Sequence, residues 1–297
     1  MVTGEIMSDI RHIACPIEES DLFATARFKH TVSVWSFAQR RKVAQFDTVL
    51  DFGGTRLAII PGKKPAVIAG AYNVHGVCAY SALDGRLLWQ RKDLKKVQYV
   101  CWLGGGRGTQ QVGVGFDSRA FQLLELRSGR TISSLRAVRE LYPTRYAGVA
   151  LQVGKSSISL CSLPDWSILW KQALRSFGVL HAAIGPRSVV FSEAGGSLRC
   201  FDIEGRALWE WAPGPGKHVL RTAWSESSDT WLAIEWPYEK GGPDTLVVLD
   251  RDGHPISRRA IGDVAECEFF AGGRYVVTSE GQVLRTPRLQ PSWKFGP

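Results

Sequence analysis

The chain has 297 residues, 44% of them hydrophobic, with 37 Lys+Arg against 28 Asp+Glu and a net charge of +9. That hydrophobic share can fill a buried core, which excludes a disordered chain, and no apolar run of about 18 residues exists to span a membrane. The cysteines (Cys15, Cys78, Cys101, Cys161, Cys200, Cys267) stand singly, with no Cys-x-x-Cys. Their spacing excludes a secreted disulfide framework and points to free thiols in a reducing cytoplasm.

In chain order, residues 1–9 read as an N-terminal extension and 10–297 as one domain. The opening MVTGEIMSDIRHIACPIEES has no apolar stretch of the signal-peptide kind, so no export signal is expected. The first hairpin is Val34-x-Ser36-x-x-x-Arg40-Arg41-x-x-Ala44. The second, Ala79-x-Ser81-x-x-x-Gly85-Arg86-x-x-Trp89, breaks at Asp84-Gly85, a step that favours a tight turn between strands. The spacing recurs as Leu123-x-Glu125-x-x-x-Gly129-Arg130-x-x-Ser133 and Leu160-x-Ser162-x-x-x-Trp166-Ser167-x-x-Trp170. Two later versions, CFDIEGRALW (200–209) and VLDRDGHPIS (248–257), are one residue shorter in the turn. The last, LRTPRLQPSW (284–293), keeps the short frame and loses the glycine.

The turn anchors therefore fall at 40, 85, 129, 166, 205, 253 and 289. A period of about 40 residues built from short strands is the mark of propeller blades. Two apolar runs precede each hairpin, for example VQYVCWL (97–103) and QQVGVGF (110–116), which makes four strands per unit. Such a unit cannot bury both its faces alone, so it must stack on neighbours around an axis. The predicted fold is all-β: a seven-bladed β-propeller with four antiparallel strands per blade. Strand counting from Ile10 to Phe295 gives complete first and last blades, with no strand exchanged between the ends. The Trp four residues past the turn suits the gap between adjacent blades.

The repeat resembles the Ala-x-Asp-x-x-x-Gly-Lys-x-x-Trp docking motif of quinoprotein-like propellers and, more loosely, the outer hairpin of WD-repeat proteins. Residues 79–89 and 200–209 come nearest to it, with Ser81 where the family has Asp and Arg86 where it has Lys. There is no Trp-Asp dipeptide ending the third strand and no Gly-His opening a blade, so the WD-repeat hydrogen-bond network is not implied.

Motifs for chemistry are few. In GVALQVGKS (148–156) five residues separate the first glycine from Gly-Lys, where a phosphate loop has four, and a strand follows instead of a helix. The glycines of LGGGRGTQQ (103–111) likewise sit between strands. The histidines (His12, His30, His75, His181, His218, His254) show no paired metal-ligand spacing. Lactonase-type propellers, the alternative enzyme class, gather Asn, Asp and Glu around a hard cation, and this chain has one asparagine, Asn73. An all-carboxylate site in the central channel remains open. The expectation is a non-enzymatic protein with no cofactor.

Two features suit a partner. The residues just after the turn anchors, Arg41, Arg86, Arg130, Arg206 and His254, would form a spaced basic ring near the outer rim, strengthened by RRK (40–42) and RKDLKK (91–96). Trp209, Trp211, Trp224, Trp231 and Trp236 crowd together ahead of PYEKGGPD (237–244), in the longest interval between anchors. Trp209 and Trp211 share one face of a strand and read as inter-blade packing. Trp236, Tyr238 and Lys240 read as contact residues, because loops on a rigid scaffold carry recognition. The implied partner is another protein with an acidic face, bound by a monomeric scaffold, adaptor, inhibitor or immunity-type protein. Nucleic acid and membrane are not expected, since the turns lack aromatics for stacking on bases.

Overall fold

The computed structural model describes residues 10–16, 20–27, 31–48, 56–71, 76–104, 111–116, 120–143, 148–176, 178–193, 196–237, 242–262 and 266–295. Every regular element among them is a strand, and the strands form seven sheets of four, each antiparallel and in sequence order. Lettered a to d outward, the inner a strands are Ile10–Ala14, Arg56–Ile60, Val97–Trp102, Glu140–Pro143, Val179–Ile184, Lys217–Ser225 and Cys267–Phe270. The outer d strands are Arg41–Asp47, Leu87–Arg91, Thr131–Leu135, Ile168–Ala173, Ala207–Trp211, Pro255–Gly262 and Gln290–Lys294. Each a strand lies beside the next, and Cys267–Phe270 lies beside Ile10–Ala14, which closes a seven-bladed propeller.

Burial explains the order of the strands. The middle strands are covered on both faces and read as continuous apolar runs: Ala66–Gly70 is buried throughout. Outer strands are open to water, as in TISSL at Thr131–Leu135, where three successive residues are exposed. Among the described residues the buried apolar side chains fall into seven clusters, each shared by two neighbouring blades. The closing interface between blades seven and one is aromatic. Phe23, Trp35, Phe270 and Phe295 are buried there with Trp293 against them, and Trp35 and Phe295 lie 4.9 Å apart. The ends are thus joined by side-chain packing, with both terminal blades complete as strand counting anticipated.

The c–d turns hold the register. All seven anchors have a left-handed backbone: Gly85, Gly129, Gly205 and Gly253, and also Arg40 (φ 50°), Trp166 (φ 61°) and Leu289 (φ 50°). Glycine adopts this conformation without strain, which is why it marks four of the seven turns. The two turn lengths appear as two hydrogen-bonded frames. Ser81 N–H bonds the carbonyl of Arg86, five residues on, whereas Asp202 N–H bonds that of Arg206, four on. In every blade the c–d ladder then slips by one residue, a β-bulge, at Val43, Leu88, Ile132, Leu169, Leu208, Ile256 and Ser292.

The tryptophan four residues past an anchor docks on the turn of the following blade. Trp89 Nε1 donates to the Leu126 carbonyl at 2.6 Å, Trp170 to Ile203 at 3.1 Å and Trp209 to Arg251 at 2.7 Å. A Cβ on Gly129 would lie 2.7 Å from the Trp89 ring, and one on Gly253 2.5 Å from Trp209. Where the docking position is serine, the receiving anchor is bulky. Ser133 is followed in the next blade by the anchor Trp166 and Ser257 by Leu289, and both anchor side chains pack into the clusters between those blades.

Candidate functional site

Up-and-down strand order puts all c–d turns on one face of the disc, with the a–b connections. The b–c and d–a connections occupy the opposite face. Arg41, Arg86, Arg130 and Arg206 are exposed at the rim of the turn face. Part of the ring is answered within its own turns. Arg206 reaches Asp202 at 2.6 Å and Glu204 at 3.4 Å, and His254 Nδ1 lies 3.2 Å from Asp250. Arg41 Nε donates to Gln39. The RKDLKK stretch, read as reinforcing this ring, instead lies in the d–a connection of blade two, on the far face.

Trp236 closes strand b of blade six (Thr230–Pro237), also on the far face, so the aromatic candidate and the arginine ring do not share a surface. It is 41% exposed and stacks on His218 of the inner strand, with ring centroids 6.1 Å apart. Tyr238 and Lys240 lie outside the described residues. The other tryptophans of that concentration are structural. Trp224 and Trp231 are buried edge to face, 5.0 Å apart, and Trp209 and Trp211 pack between blades five and six.

The inner strands enclose a channel of about 520 Å³. Sequence reading missed its chemistry. The available signal was a polar residue within or opening each first strand: His12, Arg56, Gln98, Glu140, His181, Arg221 and Glu268 all line the cavity. Arg221 is the centre of charge, its Nε 3.1 Å from Glu268 and its Nη2 2.7 Å from Glu266. Tyr142 OH donates to Glu140 at 2.7 Å, and Tyr99 OH donates to the Leu141 carbonyl at 2.7 Å. Thr222 N–H donates to His181 Nδ1 at 3.3 Å.

Burial governs how these groups titrate. It pushes the carboxyls of Glu140 and Glu268 above the usual range, against the opposing pull of Tyr142 on the first and Arg221 on the second. It lowers His12 to about 3, with Arg56 and Arg221 adding repulsion, and lowers His181 as well. Both imidazoles are neutral at pH 7, and His12 is far too weak a base to take a proton there. The Cys15 thiol, also lining the channel, is pushed up by burial, away from thiolate character.

The arrangement also bears on a carboxylate-bound cation. Glu266 and Glu268 are committed to Arg221, which holds the place between them that a divalent ion would need. Among the described residues the one group of three potential ligands is Asp250, Asp252 and His254, in an exposed turn. Its geometry belongs to the turn, since Asp250 Oδ1 accepts the backbone N–H groups of Asp252 (2.9 Å) and His254 (2.8 Å). Of the two glycine-rich stretches, 148–156 forms strand, turn and strand as read. The other, 103–111, lies mostly outside the described residues.

No family model matches the chain, and no curated protein resembles it in sequence. Among solved structures, the β-propeller domain of Cps50 (Swd1) from Myceliophteria thermophila is similar, with a TM-score of 0.71 at 10% identity. The alignment covers 91% of this chain and 92% of that one. At that identity the likeness is one of fold, and the fold is a seven-bladed β-propeller.

Proposed function

We propose that this chain is a non-catalytic interaction propeller, a scaffold or adaptor that holds another protein against its outer wall. The observation that carries the reading is the residue at the bulge of each d strand. In blades two to six it is Leu88, Ile132, Leu169, Leu208 and Ile256, all exposed, from 40% for Leu88 to 60% for Ile256. A bulge re-aims its side chain without dictating its chemistry. Ser292 fills the same place in blade seven, so the fold accepts a polar residue there. Five exposed aliphatics at one repeated position form an apolar belt of the kind that marks contact surfaces. Exposed Leu83, Leu87, Ile168 and Ile203 widen it.

A sharper form of the same reading is an inhibitor or immunity-type protein, whose bound surface covers a partner's active site. Six unpaired thiols, five of them buried, support a reducing compartment such as the cytoplasm. The Trp-on-Gly docking supports a place among quinoprotein-like propellers. The test is affinity capture from extracts of the source cell, with the wild type and with Leu169→Asp/Leu208→Asp. Both positions are exposed, so the variant should melt as the wild type does. A partner held in stoichiometric amount by the wild type and lost by the variant supports the belt; equal recovery overturns it.

A further inference from the structure

The face opposite the c–d turns carries its positive charge unevenly. Lys92, Lys95 and Lys96 stand exposed in the connection from blade two to blade three. Arg136 and Arg139 stand exposed in the next connection, and Lys155 in the b–c turn of blade four. Arg56, exposed at the channel mouth, uses its Nε–H on the Gln98 carbonyl at 3.0 Å. Of the acids within this group, Asp93 is engaged by Arg91 at 2.6 Å, and Glu140 is bonded by Tyr142 in the channel while it feels the charges of Arg56 and Arg139. No carboxylate among the described residues forms an ion pair with the six lysines and arginines from Lys92 to Lys155 named here.

The rest of the same face is built the other way. Arg175 is tied to Glu210 at 2.8 Å and Arg199 to Glu193 at 2.6 Å. Lys217 and Arg258 share the fully buried Glu235 at 3.3 and 3.0 Å, and Arg221 is held by Glu266 and Glu268. Among the described residues, the cations just named in blades five to seven are therefore matched by acids, and those named in blades two to four are not. Like charges with so few counter-ions among the described residues repel one another, and the fold does not need them, since every one of these side chains is in water.

We propose that this face of blades two to four is the docking surface for an acidic segment of a partner protein, rich in Asp and Glu. Charge complementarity sets the sign, and the surface favours polypeptide over nucleic acid for two reasons. Single strands are bound by stacking bases on aromatics, and among the described residues the exposed large aromatic is Trp236, on blade six. The sector also opens onto the channel, where Leu180 and Tyr142 line a cavity that can admit a side chain but not a duplex. This surface lies away from the aliphatic belt, and the inference does not depend on it.

The experiment is fluorescence anisotropy with a labelled poly-glutamate peptide and, separately, a duplex DNA of equal charge, at low and moderate salt. Saturable binding of the peptide that weakens with salt is expected. Lys92→Glu/Lys95→Glu/Lys96→Glu should weaken it at least tenfold, and Arg136→Glu/Arg139→Glu comparably. Arg41→Glu/Arg206→Glu on the turn face, and the belt variant Leu169→Asp/Leu208→Asp, should stay within twofold of wild type. All are surface changes, checked by unchanged melting temperature. Absence of peptide binding by the wild type overturns the proposal. So does an unaffected Lys92/Lys95/Lys96 variant, an equal loss in the turn-face variant, or tighter binding of the duplex.

Discussion

Removing the Trp89 indole tests the joint between blades. The ring is half-buried against Gly129, and its N–H bonds the Leu126 carbonyl at 2.6 Å. An indole presents about 200 Å². Burying roughly half of it at about 25 cal/mol per Å² contributes about 2.5 kcal/mol. The hydrogen bond adds about 1 kcal/mol, reduced because the freed carbonyl can reach water. Trp89→Ala should therefore cost about 2–3 kcal/mol, below the 3–5 typical of a fully buried aromatic. Gly129→Ala places a methyl group 2.7 Å from that ring and strains a residue at φ 68°. Overpacking and strain together should cost about 2–4 kcal/mol. In the double variant the ring is gone and the strain remains, so the total should fall about 1–3 kcal/mol short of the sum. Urea unfolding of the four proteins, followed by circular dichroism, measures this coupling. Additivity within about 0.5 kcal/mol would mean that Trp89 is not seated on the turn of blade three, and the docking account would fail.

The exchanged pair at blades three and four should show the reciprocal effect: Ser133→Trp/Trp166→Gly should be at least about 1 kcal/mol more stable than its single variants sum to, by the same unfolding measurement. His12 has its folded pKa lowered from 6.5 to about 3, so its contribution is full above pH 6.5 and is lost as pH falls. The loss is about 2 kcal/mol at pH 5, and His12→Gln should flatten the fall in melting temperature between pH 6.5 and 4.5. Arg221→Gln strands Glu266 and Glu268 and should destabilise the protein by about 3–5 kcal/mol near neutral pH. Because burial raises Glu268, part of that loss should return on acidification, as thermal melts across pH would show.

The fold was legible because a backbone requirement recurs. Each blade needs one left-handed residue at its outer turn, glycine meets that need most cheaply, and four glycines in a fixed frame exposed the period. The frame also located Arg40, Trp166 and Leu289, which adopt the same conformation without a glycine to announce it. Trp89 and Trp209 were recognisable as inter-blade residues from their offset alone. Their receiving surfaces were not, because Gly129 and Gly253 stand about 40 residues away and read as turn glycines. Trp166 carried the opposite ambiguity. It occupies the receiving position with a side chain that belongs, in other blades, to the docking one.

The binding surfaces were less legible, for a reason that lies in electrostatics. A sequence gives the number of charges but not their pairing. Arg206 looked like a free member of a basic ring, yet Asp202 and Glu204 in its own turn answer it. Lys92, Lys95 and Lys96 looked like reinforcement for that ring, yet strand order carries them to the opposite face. Arg221 and Glu268 stand 47 residues apart with no motif to link them, and are a paired group in the channel. Which cations are matched by acids and which stand alone therefore emerges only when the blades are closed. The aliphatic belt was hidden differently. Leu88, Leu169 and Leu208 lie among apolar strand residues, and apolar character reads as burial where strict alternation is expected. A bulge shifts that alternation by one residue, and nothing in the local sequence distinguishes a bulged leucine from a buried one.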